Sequence, residues 1–215
     1  MSSGVLDAAL PAPRTRWGTI TLLSLAGLVG VVFFSMAALP YYLSSTYGPP
    51  VYASKRGWLL LHIAGGAVAL LTGPVQLWLG LSDRGIAWHR RIGVAYLASV
   101  AVGSLGAFYL ATHTDFGLVF GAGLFGLAVA WVCTTGLAFL AIKRTLIDQH
   151  KEWMIRSYVV TFAFVFFRMI FPVLQTAQIG ALNEQLALAA WACWALPLLV
   201  TELVLQGRKI VVVRS

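Results

Sequence analysis

Charge is scarce in this chain. Only 10% of its 215 residues are Asp, Glu, Lys or Arg, against about 25% in an ordinary soluble domain. Hydrophobic residues make up 60%, more than a soluble core of this size can bury, so a water-soluble globular protein is excluded. Acids are the scarcest charges, seven against fifteen basic residues, for a net charge of +8. That leaves few groups for proton coupling within a membrane. The excess of Lys and Arg lies between apolar runs instead of on a contiguous patch, which excludes a nucleic-acid surface. There are only two cysteines. Cys133 and Cys193 both fall inside apolar runs, so they make neither a disulfide framework nor a zinc site and read as small buried hydrophobes. A catalytic triad, a phosphate-binding glycine loop and an HExxH motif are all missing. Gly121, Gly123 and Gly126 spell GxGxxG, but within an apolar run and not after a strand, so they carry no nucleotide.

What the chain has is long apolar runs. A membrane-spanning helix needs roughly 20 of them in a row. Six runs qualify: 17–39, 58–80, 92–112, 117–142, 157–178 and 186–206. Pro40, Gly48-Pro49-Pro50 and Ser82-Asp83-Arg84-Gly85 supply turn chemistry between them. Backbone at membrane depth must satisfy its own hydrogen bonds, and these runs are too long for barrel strands. The expected architecture is an all-α bundle of six transmembrane helices over 17–206, with short tails at 1–16 and 207–215. Arg14 and Arg16 before the first run resemble the start of a signal peptide, with Ser35-Met36-Ala37 as a cleavage site. The run is too long for that, since such apolar regions have about 7–15 residues, and a retained first helix is expected.

Basic residues sort by side. Arg14 and Arg16, then Arg84, Arg90 and Arg91, then Lys143, Arg144, Lys151 and Arg156, and finally Arg208, Lys209 and Arg214 all fall on one face of such a bundle. Lys55 and Arg56 fall on the other, and Arg168 lies inside the fifth run. The positive-inside bias therefore predicts a multi-pass protein of the bacterial cytoplasmic membrane with both termini cytoplasmic.

Helix faces narrow the search for a site. The second helix carries His62, Gly66, Ala69, Gly73, Gln76 and Gly80 in one row, a seam that lets a backbone or a flat ligand approach. On the fifth helix the row His150, Met154, Ser157, Thr161, Phe164, Arg168, Phe171, Gln175, Gln178 gathers nearly all its polar side chains. Such a stripe faces the bundle interior or a water-filled cavity. Arg168 lies twelve residues beyond Arg156, about 18 Å along a helix. An arginine at that depth is expensive, which makes it a functional candidate. Its plain structural role would be capping carbonyls freed near Pro172. Gln76, Gln175 and Gln178 complete the expected polar interior. Glu202, nearer the cytoplasmic end of the sixth helix, does not match Arg168 in depth.

The four histidines form two tiers. His89 and His150 sit at the inner face, in the clusters Trp88-His89-Arg90-Arg91 and His150-Lys151-Glu152-Trp153-Met154-Ile155-Arg156. His62 and His113 sit at the outer face. A membrane b-type haem takes two imidazoles from different helices, arginine or lysine for its propionates, and small residues where its ring lies on a helix; axial ligands and burial set its potential. The inner tier offers His89 and His150 as iron ligands, with Arg90, Arg91 and Arg156 for the propionates and Gly93 one turn below. The outer tier offers His62 and His113, with Lys55 or Arg56. The bland alternative is that these residues mark a membrane interface, where His, Trp and Tyr commonly accompany Lys and Arg.

The pattern His89-Arg90-x-x-Gly93-x-x-Tyr96, joined to His150-x-x-Trp153-Met154-x-Arg156-Ser157 and an intramembrane Arg168, resembles a bacterial family of predicted membrane proteins called domain of unknown function 2306, over about residues 58–174. The arrangement is also similar to di-haem membrane proteins of the cytochrome b561 and ferric-reductase type. That resemblance implies one or two haem b groups, and a quinone or metal ion as redox partner. His89 and His150 fit its plan. The outer tier departs from it, because residues 117–142 contain no histidine to face His62. Three readings stay open: a transmembrane electron carrier, a transporter of small solutes or anions along the polar face around Arg168, and a non-enzymatic scaffold or assembly protein. A zinc or copper site at the inner tier has only Asp148 and Glu152 nearby to add ligands.

Overall fold

The computed structural model describes residues 17–82 and 85–212. The expected N-terminal tail, Asp83, Arg84 and Arg214 lie outside the described residues. Every regular element among those described is helical. Five helices are long and apolar enough to cross a membrane, and a bent pair forms a sixth candidate. This is an all-α membrane bundle.

Helix α1 (Trp17–Phe33) runs through a π turn at Phe34–Ala38 into α2 (Pro40–Leu43). The π turn has a local cause. Pro40 has no N–H and its ring crowds the preceding turn. The turn widens there, and the Leu39 N–H reaches the Phe34 carbonyl at 2.8 Å. After a 3₁₀ turn at Pro50–Lys55 come α3 (Arg56–Ser82), α4 (Ile86–Thr112) and α5 (Leu118–Lys143). Gly85 opens α4 with φ +63°, a left-handed conformation that glycine adopts without steric cost. Because α4 begins at Ile86, His89, Arg90 and Arg91 belong to a helix and not to a loop ahead of one.

The fifth apolar run is not one helix. α6 (Ile147–Thr161) and α7 (Ala163–Thr176) meet at Phe162 and are bent by 41°. The last element, α8 (Leu182–Val212), is continuous through Pro197.

Small residues decide which helices touch. A methyl group at Gly65 would lie 2.4 Å from the Ser99 carbonyl oxygen and 2.6 Å from Gly103 Cα, and one at Gly106 would lie 2.5 Å from the Trp58 carbonyl oxygen. The backbones of α3 and α4 are thus in direct contact, as small residues permit in membranes. α6 holds the centre, against α3, α5 and α8. The Tyr158 ring occupies the place of a Gly73 side chain, and its hydroxyl donates to the Leu70 carbonyl at 3.1 Å. Gly123 and Gly126 seat Trp191 and Trp194 of α8, so the GxGxxG spelling serves packing. α1 packs chiefly on α3, with Leu23, Ala26, Val29 and Phe33 against the core. Cys193 is buried and Cys133 exposed, both as free thiols.

Candidate functional site

At the basic end of the bundle, the rings of His89 on α4 and His150 on α6 stand 6.1 Å apart between centroids, at 88° to one another. Each is held through Nδ1. His150 Nδ1–H donates to the Ala138 carbonyl at 2.8 Å and His89 Nδ1–H to the Gln76 carbonyl at 3.3 Å. A carbonyl only accepts, so both rings carry the proton on Nδ1 and their Nε2 atoms are acceptors, that of His89 facing the Gln76 amide nitrogen. A backbone carbonyl on the distal nitrogen is how ligating imidazoles are commonly oriented.

The floor beside His89 is made by absence of bulk. A methyl group at Gly80 would come within 2.9 Å of the His89 ring, and one at Gly93 within 2.7 Å of the Gln76 amide nitrogen. Gln76 is 3% exposed. Its amide nitrogen approaches His89 Nε2 at 3.4 Å, and its Oε1 has no hydrogen-bond partner. A buried acceptor left bare costs about 1–3 kcal/mol, so Gln76 marks a place where a further donor belongs. Arg90 and Arg91 are exposed at the same end, with the Arg91 guanidinium over Trp88.

Arg156 has a different role from the propionate contact expected of it. It is 6% exposed and binds Glu202 Oε2 through Nε at 2.7 Å and through Nη2 at 2.6 Å. It also reaches Glu152 at 3.4 Å and lies over the Trp153 ring. Lys209 closes the cluster on Glu152 at 2.8 Å. The guanidinium is engaged on each side, tying α6 to α8. This pair was open to inference from the sequence, because both residues lie near the basic end of their spans, at one depth.

Midway along the bundle runs a buried chain of hydroxyls. Tyr96 bonds Ser157 Oγ at 2.8 Å and Thr161 Oγ1 at 2.9 Å. Ser157 also bonds Thr135 at 2.7 Å, and Trp131 Nε1–H donates to Thr161 at 2.9 Å. Tyr96, Ser157 and Thr161 were visible on polar rows of their helices. Trp131 and Thr135 were not, since α5 carries no polar stripe that sets them apart.

Toward the opposite end the bundle opens into a cavity of about 530 Å³. His62, Trp131, Thr161, Phe164 and Arg168 are among the residues that line it. His62 Nδ1–H donates to the Gly103 carbonyl at 3.1 Å, and its ring meets Trp131 and Phe164 edge-on at 6.2 and 5.8 Å.

His113 does not join His62. It is exposed, stacked on Tyr109 at 4.1 Å, with Nδ1 on the Tyr109 carbonyl at 2.9 Å. Lys55 is held by Asp115 at 2.6 Å and by the His113 carbonyl, while Arg56 binds the carbonyls of Tyr41 and Ser44. The second histidine pair is therefore not assembled, and its cations are committed to ordering the outer loops. The polar interior expected on the fifth span is also divided. Gln76 is buried, Arg168 lines the cavity while being itself exposed, and Gln175 and Gln178 are exposed and line no part of it. The break at Phe162 turns the whole of α7 away from the axis of α6, and α7 ends at Thr176, beyond which Gln178 turns left-handed at φ +53°. A row read along one straight helix cannot hold across that bend. Arg168 makes no hydrogen bond to the carbonyls near Pro172 among those described.

The geometry can be set beside known proteins. A model of a family described as predicted membrane protein (DUF2306) matches residues 59–205. The chain belongs to this family. The family match begins within α3 and spans α4 to most of α8, so it holds both histidines of the close pair, the hydroxyl chain and Arg168, and leaves out α1. No curated protein and no solved structure matches the chain. The family's description names a membrane location and no activity.

Proposed function

We propose that this protein holds a b-type haem between His89 and His150 and carries electrons across or along a bacterial cytoplasmic membrane. The single observation that supports the reading is the spacing of the two rings. Two imidazoles on opposite sides of one metal ion, with metal–nitrogen bonds of about 2.0–2.1 Å and about 1.1 Å from nitrogen to ring centre, have centroids roughly 6.3 Å apart. The rings of His89 and His150 stand at 6.1 Å.

The chemistry of the donor set agrees. Both rings are fixed through Nδ1, which leaves Nε2 for a metal. Among the described residues no cluster of three or more His, Cys, Asp or Glu side chains is suited to a bare metal ion. Two protein ligands suffice where a macrocycle fills the remaining positions, which favours haem over zinc or copper. Gly80 makes room for the His89 ring and Gly93 for the Gln76 amide beside it. Arg90 and Arg91 are the cations at this end that stay exposed for propionates.

Bound haem would supply one-electron chemistry at a potential set by its two neutral imidazoles and their burial. The protein's own part would be to hold both rings by Nδ1 so that Nε2 is the acceptor, with the Gln76 amide giving way at His89, and to keep Arg156 paired with Glu202. The positive-inside bias places the basic end, and with it both termini, on the cytoplasmic side.

The test is an optical spectrum of the full-length protein, purified in detergent from haem-replete cells, oxidised and then reduced with dithionite. A Soret band is expected in the native chain and in the variants His62→Ala and His113→Ala, and its loss in His89→Ala and in His150→Ala. A folded, colourless protein would overturn the proposal, as would a folded protein carrying one copper or zinc ion per chain in place of haem.

A further inference from the structure

The cavity at the far end from the histidine pair is unexplained by that function. It combines three things: a volume of about 530 Å³, within the roughly 300–1,000 Å³ typical of small-molecule sites; walls that are chiefly aliphatic and aromatic, among them Trp131 and Phe164; and two polar groups of opposite character. His62 gives its Nδ1–H to the Gly103 carbonyl, so its Nε2 is an acceptor with nothing to accept. Arg168 carries five donors, lines the same space, and has no ion pair or hydrogen bond among the described residues. Its counter-charge is not Glu202, which Arg156 occupies.

The two groups are close along the wall. The His62 ring is 5.8 Å from that of Phe164, and Arg168 follows Phe164 by four residues on α7, one helical turn onward on the same face. A ligand head lying between them must offer an O–H to His62 and an oxygen acceptor to Arg168. A carboxylate or a phosphodiester offers only acceptors and would set its charge against the His62 lone pair. An alkane offers nothing to either group. We infer that the cavity binds a lipid-soluble quinol, its dihydroxylated ring held between His62 and Arg168 and its apolar tail along the surrounding aliphatic side chains. Binding at this site does not depend on whether the histidine pair holds haem.

Gly66 provides a gentle way to fill the space. It lines the cavity, and a methyl group built on it meets nothing within 4 Å. The experiment uses the full-length protein in quinone-free phosphatidylcholine nanodiscs, kept reduced. It is titrated by calorimetry with a decyl-substituted benzoquinol, and protein-free nanodiscs serve as the blank. One saturable site is expected. Arg168→Gln and His62→Leu should each weaken it by roughly tenfold or more, the worth of one hydrogen bond to a desolvated group. Gly66→Phe should eliminate it while the protein stays monodisperse. Heat indistinguishable from the blank would overturn the proposal. So would affinity unchanged in all three variants, or binding of oleate at the same site that needs Arg168 but not His62, which would make the occupant an anionic lipid. The Soret band recorded on the same samples separates the two readings. Binding without haem sinks only the electron carrier, and haem without binding sinks only the quinol site.

Discussion

The two ends of the bundle treat histidine in opposite ways. At the basic end two imidazoles from different helices converge, each steered by a carbonyl, beside a buried glutamine and within a paired set of charges. At the other end one imidazole faces a wide apolar space, while the fourth histidine has turned outward onto Tyr109. Equal numbers of one residue type thus yield a tight donor pair in one place and an open chamber in the other. The difference lies in the helices beneath them. α6 is regular where it presents His150, whereas His62 faces Trp131 of α5 and Phe164 of α7, beyond the break at Phe162.

The strongest way to break this contrast is to force apart the helices that carry both ends. Gly65→Leu drives a side chain into the backbone of α4 and exceeds the about 1–3 kcal/mol usual for overpacking. It should leave no monodisperse protein on size exclusion, whereas its neighbour Gly66→Leu should give a normal elution profile. Next in size, Glu202→Gln strips Arg156 of its main partner. Glu202 is partly exposed, so the expected loss is about 1–2 kcal/mol, seen as a melting temperature lower by a few degrees, with the Soret band retained.

Gln76→Leu sharpens the comparison at the close pair. It removes an amide with an unpartnered oxygen, and should raise the stability of haem-free protein by about 1 kcal/mol while shifting or abolishing the Soret band of the loaded form. Thermal melts of both forms check the two halves of that statement. The smallest effect belongs to His113→Ala. Its side chain bonds only its own helix end, so stability should change by no more than about 0.5 kcal/mol and the spectrum not at all.

Much of this was legible in the residues. Apolar run lengths gave the helical membrane class, because backbone in lipid has few ways to satisfy itself. His89 and His150 could be paired because the turns between runs put both at one end. Other features were not legible, for physical reasons. Seven-residue rows assume a straight axis, so the row from His150 to Arg168 ran across a bend that no Pro or Gly at Phe162 announces, and Gln178 lies beyond the end of α7. They also treated the small residues of α3 as one seam. In fact Gly65, one position off that row, meets α4, while Gly66 faces the cavity, Gly73 faces α6 and Gly80 faces His89. Arg156 illustrates a third limit. A cation beside a candidate ligand looked free until α8 brought Glu202 to it, and composition alone cannot say which rare acid finds which base.

The backbone-to-backbone seat of α4 on α3 bears on how the protein is made. With only residues 83–85 between them and no space for lipid along Gly65, Gly103 and Gly106, the two can enter the bilayer as one hairpin. Thickening that seam would first be felt at the translocon, as misoriented chains cleared by proteolysis, before any purified sample existed to be melted.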